Sequence, residues 1–409
     1  MPSAEPEPLS LLPGEELQFD DGGVSPSRRT DEEVDEKYTA GEVRIVTEQA
    51  RYPLNTIAGM VASSDYELNP EFQRRHRWSE SKQSRLIESF IMNVPVPPVF
   101  LYEAEYSHFE VMDGLQRLTA IAAFYNDELE LCNLREWPEL NGRKYSELPR
   151  QVRRGVDRRY LSSIILLRET AKNPLEAERL KQLVFERINS GGEALKDQES
   201  RNAIYNGPLN RLCIRLSRNK YLCRTWDIPE PTIDEVAHGR VAHTVVENER
   251  FRTMADVELV LRFFAHRQRR RVGAGALNTY LDLYLKQGNL FPEQTLVNLA
   301  SLFEDTISLV YDTLGEQAFW LWRHRHGKWA WLERPTTSAY DAIMAVFSQN
   351  LQYRRELLAR RELFAEALPR FYEQHMGAFE ARQTNMSNIR ERDRLISSLV
   401  DEVLGSPEP

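Results

Sequence analysis

The most regular hydrophobic pattern in the chain follows Ser79, where Leu86, Ile87, Phe90, Ile91 and Val94 recur at helical spacing and predict one amphipathic helix. Ser79 itself is a natural N-cap. The run Val94-Pro95-Val96-Pro97-Pro98 must end that helix and continue extended, because proline lacks a donor and biases its predecessor away from helical dihedrals. Two strands are expected next, Val99-Phe100-Leu101-Tyr102 and Phe109-Glu110-Val111-Met112, with the polar stretch Glu103 to His108 turning between them. Asp113-Gly114 breaks the second strand, and Leu118, Ile121, Ala122 and Tyr125 form the apolar side of the helix that follows. Tyr66-Glu67-Leu68 and Tyr160 to Leu167 are further strand candidates, and Leu175 to Ile188 reads as a helix ended by the loop Asn189-Ser190-Gly191-Gly192. Beyond residue 215 the pattern is helical, over Met254–Arg267, Leu277–Gln287, Glu293–Leu314, Thr337–Gln349 and Arg354–Phe379.

These periods predict an α+β protein: an α/β head at residues 41–215, then a mostly α-helical body at 216–405. Residues 1–40 mix Pro, Ser, Gly and acidic residues with few apolar ones, and are expected to form a disordered acidic tail. The formal net charge of −9 argues against indiscriminate coating of nucleic acid, yet leaves room for a local basic surface because the acid is unevenly spread. No apolar run approaches the roughly 20 residues that cross a bilayer, and no secretory signal opens the chain, so a cytoplasmic protein without membrane contact is expected. Cys132, Cys213 and Cys223 are scattered without metal-ligand spacing and read as reduced thiols.

The junction Asp113-Gly114-Leu115-Gln116-Arg117 carries the most chemistry. A helix N-terminus offers unpaired N–H groups and a positive dipole end to an anion. Gly114 lets backbone approach a ligand closely, Arg117 in the first turn can fork onto phosphate oxygens, Gln116 adds amide donors, and Asp113 can hold a metal or orient Arg117. Plain turn chemistry accounts for the same pattern, and the residues alone leave both readings open.

The order of motifs adds to this. Asn69-Pro70-Glu71-Phe72-Gln73-Arg74-Arg75-His76-Arg77-Trp78, Pro95-Val96-Pro97-Pro98, Asp113-Gly114-Leu115-Gln116-Arg117, and Phe185-Glu186-Arg187-Ile188-Asn189-Ser190-Gly191-Gly192 follow one another, with Gln198-Glu199, Arg201-Asn202 and Asp256-Val257-Glu258 further on. Taken together, residues from about 50 to 350 resemble the N-terminal domain family of GmrSD-type modification-dependent restriction systems and of the SspE phosphorothioate-sensing defence protein. The hallmark there is Asp-Gly-Gln-Gln-Arg. The resemblance implies a ParB/sulfiredoxin-like head, in which a box at a helix start binds nucleotide phosphates and Gly114 to Arg117 take the comparable place. It also implies nucleotide hydrolysis and control of a DNA nuclease, with catalytic roles for Asp113, Gln116 and Arg117. Leu115 replaces the first glutamine of the hallmark, which bears on hydrolysis more than on binding.

Two further clusters are candidates. Gln73, Arg74 and Arg77 either close over the same anion or form a solvated basic turn before Trp78. Arg187 and Asn189, before Gly191-Gly192, either contact a nucleotide or belong to a helix C-cap. Arg150 to Arg159 and Arg267 to Arg271 are each solvated helix faces or contacts to DNA phosphate, and Trp320, Trp322, Trp329 and Trp331 suit packing or a partner surface more than base stacking. No P-loop, Gly-x-Ser-x-Gly elbow or HNH-like histidine pattern is present. The expected protein is a nucleoside triphosphate-binding, Mg²⁺-using hydrolase that serves as a sensor or regulatory subunit. It would act with DNA and a separately encoded effector nuclease, with homo-oligomerisation open. The rivals are a metal-dependent nuclease working through Asp113, and a DNA- or protein-binding adaptor that keeps the phosphate site as a relic.

Overall fold

A computed structural model of the chain describes residues 11–17, 30–39, 45–68, 78–168, 174–189, 196–238, 241–269, 277–325, 327–380 and 386–406. The chain divides into two compact units, one of residues 20–196 and the other of residues 1–19 with 197–409. Mixed strands and helices build the first and helices dominate the second, so the protein is α+β.

The 20–196 unit contains α1 (Asp31–Thr39), β1 (Thr47–Pro53), α2 (Ile57–Ala62), β2 (Tyr66–Glu67), α3 (Glu80–Met92), β3 (Val99–Glu105), β4 (His108–Asp113), α4 (Leu115–Tyr125), α5 (Arg150–Asp157), β5 (Tyr160–Leu166) and α6 (Pro174–Asn189). Its sheet has the order β1-β5-β3-β4-β2. β1 runs antiparallel to β5, β5 parallel to β3, β3 antiparallel to β4, and β4 parallel to β2. The β3–β4 turn is tighter than the polar pattern predicts. The strands continue through Glu103 and Glu105, and Ser107 takes the positive φ of 61° that closes the hairpin. Exposure of the hairpin end explains this: polar side chains satisfy a strand wherever the sheet meets water.

The α3 helix forms as its pattern predicts. The Ser79 hydroxyl accepts from Lys82 N, Leu86, Ile87 and Phe90 enter the core, and Asn93 ends the helix in the left-handed region. Two polar residues on α3 are also buried. Ser84 Oγ accepts from Cys132 N at 3.0 Å, and the Glu88 carboxylate accepts from Glu136 N at 2.8 Å and Trp137 N at 3.1 Å. Together they clamp the long connection between α4 and α5. The far end of α4 is held by Asp157 Oδ1, which accepts from the hydroxyls of Tyr125 at 3.2 Å and Tyr145 at 3.0 Å. Burial, then Asp157, pushes the Tyr125 phenol far above its ordinary range, so both tyrosines remain donors.

The helical unit is organised on α13, preceded by α7 (Asp197–Ile204), α8 (Pro208–Leu216), α9 (Lys220–Thr225), α10 (Ile233–His238), α11 (His243–Glu247) and α12 (Glu249–Arg252). α13 (Ala255–Arg269) is buried nearly all round and packs against α8, α14 (Leu277–Gly288) and α16 (Thr337–Gln349), with α15 (Glu293–Leu314) alongside. A hydrophobic spine would be the usual occupant of such a place, yet α13 carries Arg262, His266, Arg267 and Gln268 inside. Each arginine finds a carboxylate. Arg262 forks onto Asp341 of α16, and Arg267 Nη1 lies 3.1 Å from Glu15 Oε2. Arg201 of α7 reaches Asp282 at 2.7 Å and Glu258 at 3.2 Å.

Two sequence expectations change here. Within the acidic stretch read as a disordered tail, Asp31–Thr39 is helical, and residues 11–17 dock into the helical unit. Glu15 is fully buried, accepting from Arg267, Gln268 is bonded to its carbonyl, and Tyr284 donates to its carboxylate at 3.0 Å. Arg267, read as part of a possible DNA-contacting run, is consequently consumed by this contact, and 270–271 lie outside the described residues. The stretch read as one helix from Arg354 to Phe379 divides into α17 (Arg354–Ala359), α18 (Arg361–His375) and a 3₁₀ turn, because Arg360 leaves helical dihedrals with ψ at 17°. A last helix, α19 (Met386–Gly405), closes the unit. Among the described residues no helix is long and apolar enough to cross a membrane.

The ion pairs of α13 set a first prediction. Burial alone raises the Asp341 carboxyl, but the charges of Arg262 and His266 outweigh it and hold the group below its ordinary range. A depressed value stabilises the fold above the unfolded carboxyl range of ~4 and loses that contribution as pH falls through the folded value. Asp341→Ala is therefore expected to cost about 3–5 kcal/mol in urea unfolding at neutral pH, because it removes both acceptors of the Arg262 fork and leaves only Glu258, 3.6 Å away, and to flatten the acid limb of the stability profile. The double change Arg262→Met with Asp341→Leu is expected to recover most of that loss. A second prediction concerns the thiols: burial raises Cys213 strongly and Cys223 to about 12. A thiol reagent should therefore label half-buried Cys132 in the folded chain and reach the other two only on unfolding.

Candidate functional site

The site is built at the point where β4 becomes α4. Gly114 sits there with φ 95° and ψ 8°, a left-handed conformation that glycine adopts without penalty. Its carbonyl accepts from Arg117 N at 2.9 Å and Leu118 N at 3.0 Å, which starts the helix within one residue of the strand. Dihedral freedom is only half of the requirement. A Cβ at 114 would fall 2.4 Å from Cγ1 of the fully buried Val99 on β3, so the Gly114 backbone packs directly on the Val99 side chain.

This close approach sets where Arg117 lies. Its Nη2 donates to Asp113 Oδ2 at 2.8 Å and to the Pro98 carbonyl at 3.2 Å, tying helix, strand end and the proline run together. The Arg117 side chain is 14% exposed and that of Asp113 35%, so the pair opens toward solvent at the carboxylate. Arg117 Nε is buried and has no hydrogen-bond partner, a costly condition for a charged donor. Gln116 is half-buried, and its Oε1 accepts from Trp78 N at 3.1 Å. Trp78 is held in turn by Gln83, whose Nε2 donates to its carbonyl at 2.8 Å, and by the Lys82 ammonium 4.8 Å from its ring.

Asp113, Gly114, Gln116 and Arg117 are thus brought together. Gln73, Arg74 and Arg77 lie outside the described residues, although Arg77 directly precedes the Trp78 that Gln116 holds. Arg187 is exposed on α6, which packs on β4, and Asn189 ends the same helix with its side chain outside the described part. On α6, Lys181 pairs with Glu110 of β4 and lies 5.3 Å from the Tyr102 ring. Sequence reading missed Val99 and the Pro98 carbonyl as parts of the site. The Pro97-Pro98 run was a signal of sorts, since it forces extended backbone whose carbonyls need donors from elsewhere. Nothing local marks Val99. Leu115, the departure from the hallmark glutamine, is buried with 8% exposure.

As for the arginine run on α5, Arg150, Arg154 and Arg158 are exposed one helical turn apart, whereas Arg153 and Arg159 are bonded to the carbonyls of Ser146 and Phe90.

Residues 57–206 match the family model described as GmrSD restriction endonuclease, N-terminal domain. The chain therefore carries a GmrSD N-terminal domain, which links it to restriction systems, and the matched stretch includes the whole Asp113–Arg117 junction together with α6. No curated protein and no solved structure matches the chain.

The double constraint at Gly114 is testable. Gly114→Ala should lower stability by about 2–5 kcal/mol, the sum of left-handed strain and overpacking against Val99. In a Gly114→Ala, Val99→Ala chain the overlap is relieved while the φ penalty remains. Urea unfolding should therefore show non-additivity, with the pair less unstable than the two single losses combined.

Proposed function

We propose that the β4–α4 junction binds the phosphates of a nucleoside triphosphate and hydrolyses it, and that the chain is a sensor or regulatory subunit of a modification-dependent restriction system. The observation that carries this reading is Arg117: a largely buried guanidinium at the first turn of a helix, clamped by Asp113 and Pro98, with its Nε still unpartnered. Asp113 is 35% exposed, so the guanidinium–carboxylate pair is reached from solvent on the side where phosphate oxygens would bind.

In this reading the amides at the start of α4 and Arg117 hold phosphate oxygens, and the fixed guanidinium stabilises charge that develops during transfer without reorganising. Asp113 offers a single carboxylate, of which Oδ2 is committed to Arg117. Such a donor set fits Mg²⁺ shared with nucleotide phosphates, the usual arrangement for that ion. Bound there, Mg²⁺ supplies charge neutralisation across the phosphate oxygens. Gln116 keeps Trp78 in place, and with it the end of the segment carrying Gln73, Arg74 and Arg77, which are proposed to contact the same phosphates. Arg187 and Asn189 on α6 are proposed as further nucleotide contacts. Because Leu115 is buried, its departure from the family glutamine leaves Asp113, Gln116 and Arg117 in position. DNA and a separately encoded effector nuclease are the proposed partners. The family description and the exposed arginines of α5 support the first of these.

The test is phosphate release from ATP, GTP and CTP with Mg²⁺, with and without DNA, by the full chain and its variants. Arg117→Ala should reduce turnover by about 10²–10³-fold, the usual loss when one preorganised donor is removed. Asp113→Asn keeps an acceptor for Arg117, so it should retain nucleotide binding and lose the Mg²⁺-dependent rate. Thermal unfolding of both variants separates loss of chemistry from loss of fold. Wild-type chain that neither binds nor hydrolyses any nucleotide, or Arg117→Ala with unchanged turnover, would sink the proposal.

A further inference from the structure

Between α15 and α16 the helical unit carries a β-hairpin made of β6 (Trp322–Arg325) and β7 (Lys328–Trp331). Its register pairs Trp322 with Trp331, Arg323 with Ala330, His324 with Trp329 and Arg325 with Lys328. Side chains alternate between the two faces of a strand, so the hairpin is sorted into an aromatic face and a basic one. On the aromatic face the Trp322 and Trp331 rings lie 5.3 Å apart and those of His324 and Trp329 5.6 Å apart. This face is seated on α18, where Trp322 Nε1 donates to Glu373 at 2.9 Å and Trp331 meets the Tyr372 ring edge-on. The tryptophans are thereby accounted for as packing.

The basic face is not accounted for by the fold. Arg325 and Lys328 stand directly opposite each other and both are exposed. Like charges in that position destabilise a hairpin. Arg323, beside them, donates Nη2 to the Phe379 carbonyl at 2.8 Å and keeps a buried Nε without a partner. Its guanidinium is pulled below the ordinary arginine range by burial first, then by the fields of Arg325 and Arg334, with Glu380 the acid opposing them. Exposed Arg334 lies a short way beyond β7, after Leu332 and exposed Glu333. A chain of net charge −9 thus places three cations, Arg323, Arg325 and Lys328, on one face of a small ribbon, with Arg334 just beyond it, and leaves Arg325 and Lys328 facing each other.

We propose that this ribbon is a contact for the phosphate backbone of duplex DNA. A polyanion offsets the repulsion that the fold leaves standing, and does so at several cations together, as a single small anion does not. Arg325 and Lys328 stand opposite each other across the ribbon, so both exposed cations can reach one phosphate backbone together. A two-stranded ribbon also has the width that the major groove admits. The inference rests on reading the chain as a component that acts on DNA, and it requires no nucleotide at the β4–α4 junction.

The experiment is nucleotide-free fluorescence anisotropy of the full chain with a short labelled duplex over a series of salt concentrations. In the R325E/K328E chain the affinity should fall by about tenfold or more, and the slope of log K against log salt should fall by about two. Because both residues are exposed, thermal unfolding and phosphate release should stay at wild-type levels, and the charge-preserving R325K/K328R exchange should keep the affinity. Duplex affinity and salt slope unchanged in R325E/K328E, or a wild-type chain that binds no duplex at low salt, would overturn the proposal. Stronger competition by single strands than by duplex would overturn the duplex assignment. Hairpin-dependent duplex binding in a chain that hydrolyses no nucleotide would refute the phosphate-release reading and leave this one standing.

Discussion

The contact between Gly114 and Val99 is the constraint from which the candidate site follows. The Gly114 backbone packs on the Val99 side chain where a Cβ would lie 2.4 Å from a buried valine methyl, and the left-handed glycine lets α4 begin at once after β4. Because that helix starts so tightly, Arg117 lands one turn along, within reach of both Asp113 and the Pro98 carbonyl. At its other end α4 is tied by Tyr125 to Asp157. The guanidinium is therefore held by covalent geometry at one end of a short helix whose two ends are both fixed, which is the preorganisation that electrostatic stabilisation of phosphate requires.

The helical unit solves a different problem. Its central helix carries charges where apolar residues would suffice, and each is satisfied by a partner far away in sequence: Arg262 by Asp341, Arg267 by Glu15. Buried pairs of this kind contribute little net stability compared with a well-packed apolar alternative, but an unpaired member is costly. They act against misplaced packing, since any arrangement that separates the partners leaves a charge in the interior. The N-terminal residues 11–17 join this scheme through polar contacts, the Glu15 carboxylate to Arg267 and Tyr284, its carbonyl to Gln268 and the Pro13 carbonyl to Thr295, which explains why a stretch poor in apolar residues is nevertheless docked.

Two cationic features consequently have different standing in one acidic chain. Arg117 is buried, braced and short of one acceptor, suited to a compact anion presented in a fixed pose. The β6–β7 ribbon is exposed, with repulsion spread over several side chains, suited to an extended anion with repeated charges. Each contact rests on its own residues, the first within the stretch that matches the GmrSD N-terminal domain and the second outside it.

Much of this protein was determined by sequence alone. The capped α3 helix, the β3 and β4 strands, the break at Asp113-Gly114 and the long helices at 293–314 and 337–349 follow from local periods and turn chemistry, which act over a few residues. Asp113, Gly114, Gln116 and Arg117 were legible as a group for the same reason, since one strand-to-helix junction places them together. Other features were settled only in three dimensions. Val99 and the Pro98 carbonyl enter the site from a neighbouring strand, and Glu15 is buried by an arginine 252 residues away. The hairpin at 322–331 became a basic face only once its tryptophans had docked on α18. Contacts between distant segments, and the loss of solvent that makes a charge or a methyl group decisive, have no local pattern to announce them; they arise when the chain closes on itself.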